Sequence, residues 1–127
     1  MRRRWVQSDD GRVLAESVRV ADTFWRRLVG LQGRRSLPAG EVLWLSKCTS
    51  VHTAWMRFAI DVIFLDDQMR VLEVRPAVRP WRIVIPRVAP ESGRVRHVIE
   101  RQTREGQDSI CVGTRTRIET TSEMAEP

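Results

Sequence analysis

The hairpin read from residues 60–75 constrains this chain more than any other feature. Two apolar runs, Ile60 to Asp66 and Met69 to Arg75, are separated only by a short turn at Asp67-Gln68. Runs of this length, rich in valine, isoleucine and phenylalanine and ended by turn residues, form antiparallel strands. Other segments repeat the theme. Residues 12–20 follow an Asp10-Gly11 turn and are expected to pair with Trp5–Gln7. Glu41 to Leu45 reads as an apolar strand that runs on into the more polar Lys47-Cys48-Thr49-Ser50. Residues 95–100 and 115–120 are the last strand candidates, with a turn near Glu105-Gly106. Pro76, Pro80, Pro86 and Pro90 leave room for only short extended pieces between them. One short helix is expected near residues 22–30, capped by Asp22-Thr23, apolar at Phe24, Trp25, Leu28 and Leu31, and ended by Gly30 and Gly33. The expected fold is therefore mainly β (α+β), a compact barrel-like or sandwich-like single domain with that one helix. The domain is read as residues 1–120, with a frayed acidic tail over 121–127.

A chain of 127 residues buries about two-thirds of its surface on folding, enough for one core without disulfide or metal staples. No apolar stretch approaches the roughly 20 residues of a membrane span. The basic opening Arg2-Arg3-Arg4 lacks the apolar run of a secretory signal. A cytoplasmic protein away from the membrane, monomeric or weakly dimeric, is the expectation. The formal charge of +6 is uneven. Residues 68–104 hold nine basic and three acidic groups, while residues 105–127 hold two and five. A middle segment of this kind attracts anions or is a solvated arginine face. Cys48 and Cys111 show no metal-ligand spacing and read as reduced thiols. Familiar phosphate-loop, metalloprotease, nucleophile-elbow and nucleic-acid-module signatures are missing, so no catalytic set, metal or cofactor is assigned.

Asp61 is the local oddity. Strand alternation puts it on one face with Ile63 and Leu65, while Ile60, Val62 and Phe64 take the other. A carboxylate in such company must be paired or aimed at a cavity. Arg57, His52 and backbone N–H groups of a neighbouring turn are the candidate partners. The carboxylate then serves either as an internal anchor or as a site group. Cys48 and His52 share a face in an extended chain but lie roughly 13 Å apart at about 3.3 Å per residue, so a thiolate–imidazole pair needs a bend. Trp44, Trp55, Met56, Phe58 and Trp81 lie near Arg57, Arg79 and Arg82 in the sequence. They form either a core with arginines reaching outward or an aromatic–arginine surface that stacks on a ligand.

Gly30-Leu31, then Arg35-Ser36-Leu37-Pro38 with Gly40, then the block Val51–Asp66 together resemble the DUF192 family of small bacterial and archaeal proteins. Arg96 to Glu100 and Cys111-Val112-Gly113 are similar to later motifs of that family. Thr114 stands where the family has an aspartate, and Gln68-Met69 where it has a turn glycine. The resemblance implies a compact, largely β domain and supplies no catalytic residues. Three functional readings follow. The first is a non-catalytic binding or accessory domain holding a small anionic or carbohydrate-like ligand, or an acidic partner segment, beside residues 50–61. Its binding residues are Ser50, His52, Met56, Arg57, Asp61, Arg79, Trp81 and Arg82. The second is a hydrolase-like enzyme using Asp61 with His52 or Cys48. Nucleic-acid binding through an arginine face ranks third.

Overall fold

A computed structural model describes residues 2–20, 37–46, 51–52 and 58–121, with the backbone alone at 51, 52 and 121. Among these residues ten strands follow one another: β1 (Arg2–Gln7), β2 (Val13–Ala15), β3 (Ser17–Val20), β4 (Glu41–Ser46), β5 (Val51–His52), β6 (Ile60–Leu65), β7 (Val71–Val78), β8 (Ile83–Val84), β9 (His97–Gln102) and β10 (Thr116–Thr121). The helix expected near residues 22–30 and the tail beyond Thr121 lie outside the described residues. Among those described, the helical content is a single 3-10 turn at Pro90–Ser92, and no helix is long and apolar enough to cross a membrane.

The strands form a five-stranded sheet in the order β3-β4-β9-β6-β7, a three-stranded sheet β10-β1-β2 and a two-stranded ladder β5-β8. The sheets are open. The outer strands β3 and β7 do not pair with each other, so the barrel-like alternative is replaced by packed layers. Among the described residues only β3 and β4 pair in parallel.

The interior strand β6 explains the layering. All six of its residues are buried, and their alternation feeds two cores. Ile60, Val62 and Phe64 join Leu43, Leu45, Val98 and the loop residues Leu37, Phe58 and Val95 on one face. Ile63 and Leu65 join Val42, Val71 and Ile99 on the other, where Trp5 and Ala15 of the small sheet cover them. Each fully buried aliphatic or aromatic side chain contributes roughly 1.5–3 kcal/mol, so a strand buried on both faces dominates the fold's stability.

Three sequence expectations are corrected locally. The strand read over 12–20 is two strands: Ala15 pairs with Trp5 in the small sheet, then the chain crosses at Glu16 and Ser17 pairs beside Glu41 in the large one. Strands that change sheets at a bend make the corners of layered β folds, and buried Ala15 and Val18 sit on either side of this one. The turn of the central hairpin is longer than Asp67-Gln68. Asp66 Oδ1 accepts the N–H groups of Gln68 and Arg70, both at 2.9 Å, and Met69 takes φ +64°. Met69 thus adopts the left-handed backbone that glycine favours, and its side chain buries into the second core in exchange. Finally, β7 runs eight residues, through Pro76, because two bulges against β6 accommodate it.

Candidate functional site

Asp61 lies opposite the second bulge. Val62 pairs with Arg75 and Ile60 with Val78, so Pro76 and Ala77 together face the single residue Asp61. Proline has no N–H to give the ladder, and Ala77 stands at φ +52°. Its N–H donates to Asp61 Oδ1 at 3.0 Å in place of a strand partner. The Thr103 hydroxyl donates to the same oxygen at 2.7 Å, and Arg101 Nε to Oδ2 at 2.9 Å. Arg101 is the residue directly across from Asp61 in the β6–β9 ladder. Asp61 is buried at this ion pair, and the Arg101 side chain is 13% exposed. Burial pushes the Asp61 carboxyl upward, yet the Ala77 N–H, the Thr103 hydroxyl and the Arg101 guanidinium outweigh it and hold the group below its ordinary value.

The tie extends outward. Arg101 Nη2 donates to the Asp108 carbonyl at 3.1 Å, and the Asp108 carboxylate meets Arg12 at 2.7 Å on the surface. On the opposite face of β9, Gln102 Oε1 accepts the Leu37 N–H at 2.6 Å, and the Arg104 guanidinium donates to Gln102 and to the Leu37 carbonyl. Glu100, between Leu43 and Val62 in the sheet, is 1% exposed. At the far end of β9, Trp44 Nε1 donates to His97 Nδ1 at 3.3 Å, the rings tilted at 48°. Burial lowers the His97 pKa, with Arg96 adding to the effect and Asp67 and Asp66 opposing it.

Two residues beyond Ala77 the chain leaves the sheet as an arm. Trp81 takes φ +65° and is 59% exposed, and Ile83 and Ile85 are 77% and 64% exposed. Val84 turns inward and is buried in the first core, while the backbone of β8 pairs with β5, His52 opposite Ile83. Arg79 and Arg82 are exposed on the same arm. Arg75 and the Arg87 N–H hook its far end to β7: Arg75 Nη1 bridges Glu73 at 3.0 Å and the Ile85 carbonyl at 3.3 Å, and Arg87 N–H reaches Glu73 at 2.6 Å.

The structure thus gathers the backbone of His52 and the side chains of Arg79, Trp81 and Arg82 at the arm, with Asp61 fastening the arm's base through Ala77. Ser50, Met56, Arg57 and Cys48 lie outside the described residues, as does the His52 side chain. Of the partners expected for Asp61, a backbone N–H is present. Arg101 and Thr103 were missed, although both fall on its face when β9 is set beside β6. Among the described residues no cluster of His, Cys, Asp or Glu is arranged to hold a metal ion.

Three surface grooves add to the arm. One of about 340 Å³ is lined by Leu14, Gly40, Glu41, Arg101, Arg104 and Asp108. A second, about 390 Å³, lies among Pro86, Val88, Pro90, Gly93 and Val95. The largest of the three, about 480 Å³, runs between Arg70–Glu73, Arg87–Ser92 and Val112.

Residues 5–118 match DUF192, a family described as an uncharacterized ACR. A UPF0127 protein of Thermococcus sibiricus is 33% identical over 99 residues, 75% of this chain and 60% of its own length. A UPF0127 protein of Pyrococcus horikoshii is 36% identical over 88 residues, 65% of this chain and 70% of its own. This chain therefore spans about 60% of the first relative and about 70% of the second. The fold is similar to a crystal structure of a candidate transcription regulator from Sinorhizobium meliloti, with TM-score 0.70, 18% identity and 91% of each chain covered. It is also similar to a protein of unknown function from Novosphingobium aromaticivorans, with TM-score 0.69, 16% identity, and 92% and 84% covered.

Proposed function

This chain belongs to the DUF192 family, and we propose that it acts as a binding module whose arm, residues 79–85, takes an acidic partner segment carrying apolar side chains. One observation carries the reading. Trp81, Ile83 and Ile85 expose large apolar surfaces at alternate positions within a stretch, residues 74–90, that has four arginines and no acidic residue. Exposed apolar side chains rimmed by charge mark interaction surfaces, and tryptophan and arginine are the residue types enriched where binding energy concentrates. The partner's carboxylates meet Arg79 and Arg82, and its apolar side chains cover Trp81 and Ile83. Asp61 takes part as a positioning residue, since its hydrogen bond to Ala77 fixes where the arm leaves the sheet. The exposed free thiol of Cys111 suits a reducing, cytoplasmic setting.

The test is fluorescence anisotropy with a labelled peptide that alternates Asp or Glu with Leu or Phe. Binding is expected, weakened at least about tenfold by Trp81→Ala and by Arg79→Glu with Arg82→Glu, the loss of about 1.4 kcal/mol or more per anchor. Unchanged affinity in both variants sinks the reading. Duplex DNA serves as competitor. If it binds the arm more tightly than the peptide, with affinity falling steeply as salt rises, the arginine surface is a nucleic-acid interface instead.

A further inference from the structure

The groove between Arg70–Glu73, Arg87–Ser92 and Val112 brings together two arginines whose guanidinium groups are not committed elsewhere among the described residues. In the groove beside Gly40 the guanidinium groups are committed: Arg101 to Asp61 and the Asp108 carbonyl, Arg104 to Gln102 and Leu37. In the groove beside Val95 a single arginine, Arg94, stands among proline, valine and glycine. Here, by contrast, the Arg70 and Arg87 backbone N–H groups are bonded, to Asp66 and Glu73, while neither guanidinium has a hydrogen bond or ion pair among the described residues. Glu73 is spent on Arg75 and the Arg87 N–H, which leaves Glu91 as the lining acid not so engaged.

A second observation points the same way. Arg70 stands directly opposite Arg115 in an isolated antiparallel bridge. Cross-strand partners project to the same side within about 5 Å, and like charges so placed repel. An oxyanion bound at Arg70 relieves that repulsion, although Arg115 itself does not line the groove. Val88 and the exposed Val112 supply the apolar part of an otherwise polar wall, and about 480 Å³ falls within the range of small-molecule sites.

We propose that this groove is a second binding site, separate from the arm, for a small anion with an apolar body: a phosphate monoester or carboxylate on an aromatic or aliphatic frame. Arg70 and Arg87 hold the anionic end, the Ser92 hydroxyl lies within the same wall, and Val112 covers the apolar part.

The experiment follows backbone amide shifts on titration of the whole protein with phenyl phosphate, inorganic phosphate and neutral benzyl alcohol. Phenyl phosphate is expected to shift Val71–Glu73, Val88–Ser92 and Val112, and to bind more tightly than either other probe. Arg87→Ala should weaken it at least about tenfold, as loss of a charge-assisted hydrogen bond does. Val112→Ser should erase the preference for phenyl phosphate over inorganic phosphate. Trp81→Ala should change nothing, which separates this site from the arm. Shifts centred on residues 79–85, equal responses to both phosphates, or full binding by an Arg70→Ala, Arg87→Ala double variant would each overturn the proposal.

Discussion

The base of the arm and its tip invert the usual placement of side chains in opposite ways. At the base, the charge of Asp61 is buried in the sheet; at the tip, Trp81 and Ile83 face water. The first inversion is compensated within the chain, because three donors saturate the carboxylate and one of them carries a full positive charge. The second is not compensated by burial. A buried charge with complete partners belongs to the architecture, whereas an exposed apolar row rimmed by arginines is what the proposed docking role rests on. The bulge at Pro76-Ala77 joins the two.

The most severe way to test that contrast is to break the base. Asp61→Ala orphans the Ala77 N–H and leaves the partly buried Arg101 guanidinium with only the Asp108 carbonyl, and breaking such a pair costs up to about 3–5 kcal/mol, read as a lower urea midpoint. Replacing both partners, Asp61→Leu with Arg101→Met, should recover part of that loss, since apolar pairs of similar volume often substitute for buried ion pairs. A next, smaller effect comes from acid. The folded Asp61 carboxyl titrates below its ordinary value of 3.8, so its contribution is full above about pH 4 and lost as pH falls through the folded value. The stability–pH curve of Asp61→Asn should be flatter over that window than that of the parent.

His97 sharpens the comparison at higher pH. Burial favours its neutral form, so the unfolded chain takes up a proton first as pH falls below 6.5. Stability is full above that value and declines below it, and His97→Phe should remove this part of the slope in urea titrations at pH 5–7. The smallest effect is expected at the tip. Trp81→Ala or Ile83→Ser should move stability by less than about 0.5–1 kcal/mol, as exposed substitutions do, while the peptide affinity falls. A large loss of stability there would mean that the tip is part of the core after all.

Local features were the legible ones. The β6–β7 hairpin, the face on which Asp61 lies and the approximate positions of β9 and β10 follow from alternation and turn residues a few positions apart. Arg101 was out of reach because it meets Asp61 only through the strand order, which inserts β9 between β4 and β6. Sequence periodicity fixes which way a side chain points without saying which strand lies alongside. The length of the hairpin turn escaped for another reason. Met69 occupies a left-handed position where propensity alone argues against it, and burial in the second core overrides that preference.

The small sheet carries a consequence for how the chain is made. Its central strand β1 lies between β2, which follows at once, and β10, whose Ile118 pairs with Trp5. At synthesis rates of about 5–20 residues per second, β1 leaves the ribosome on the order of ten seconds before that partner exists. Throughout the interval one edge of β1 is an open template, and Trp5 lacks the layer that finally encloses it. Arg2, Arg3 and Arg4 occupy that waiting edge, and a run of like charge is what keeps an unfinished edge from pairing with another nascent chain.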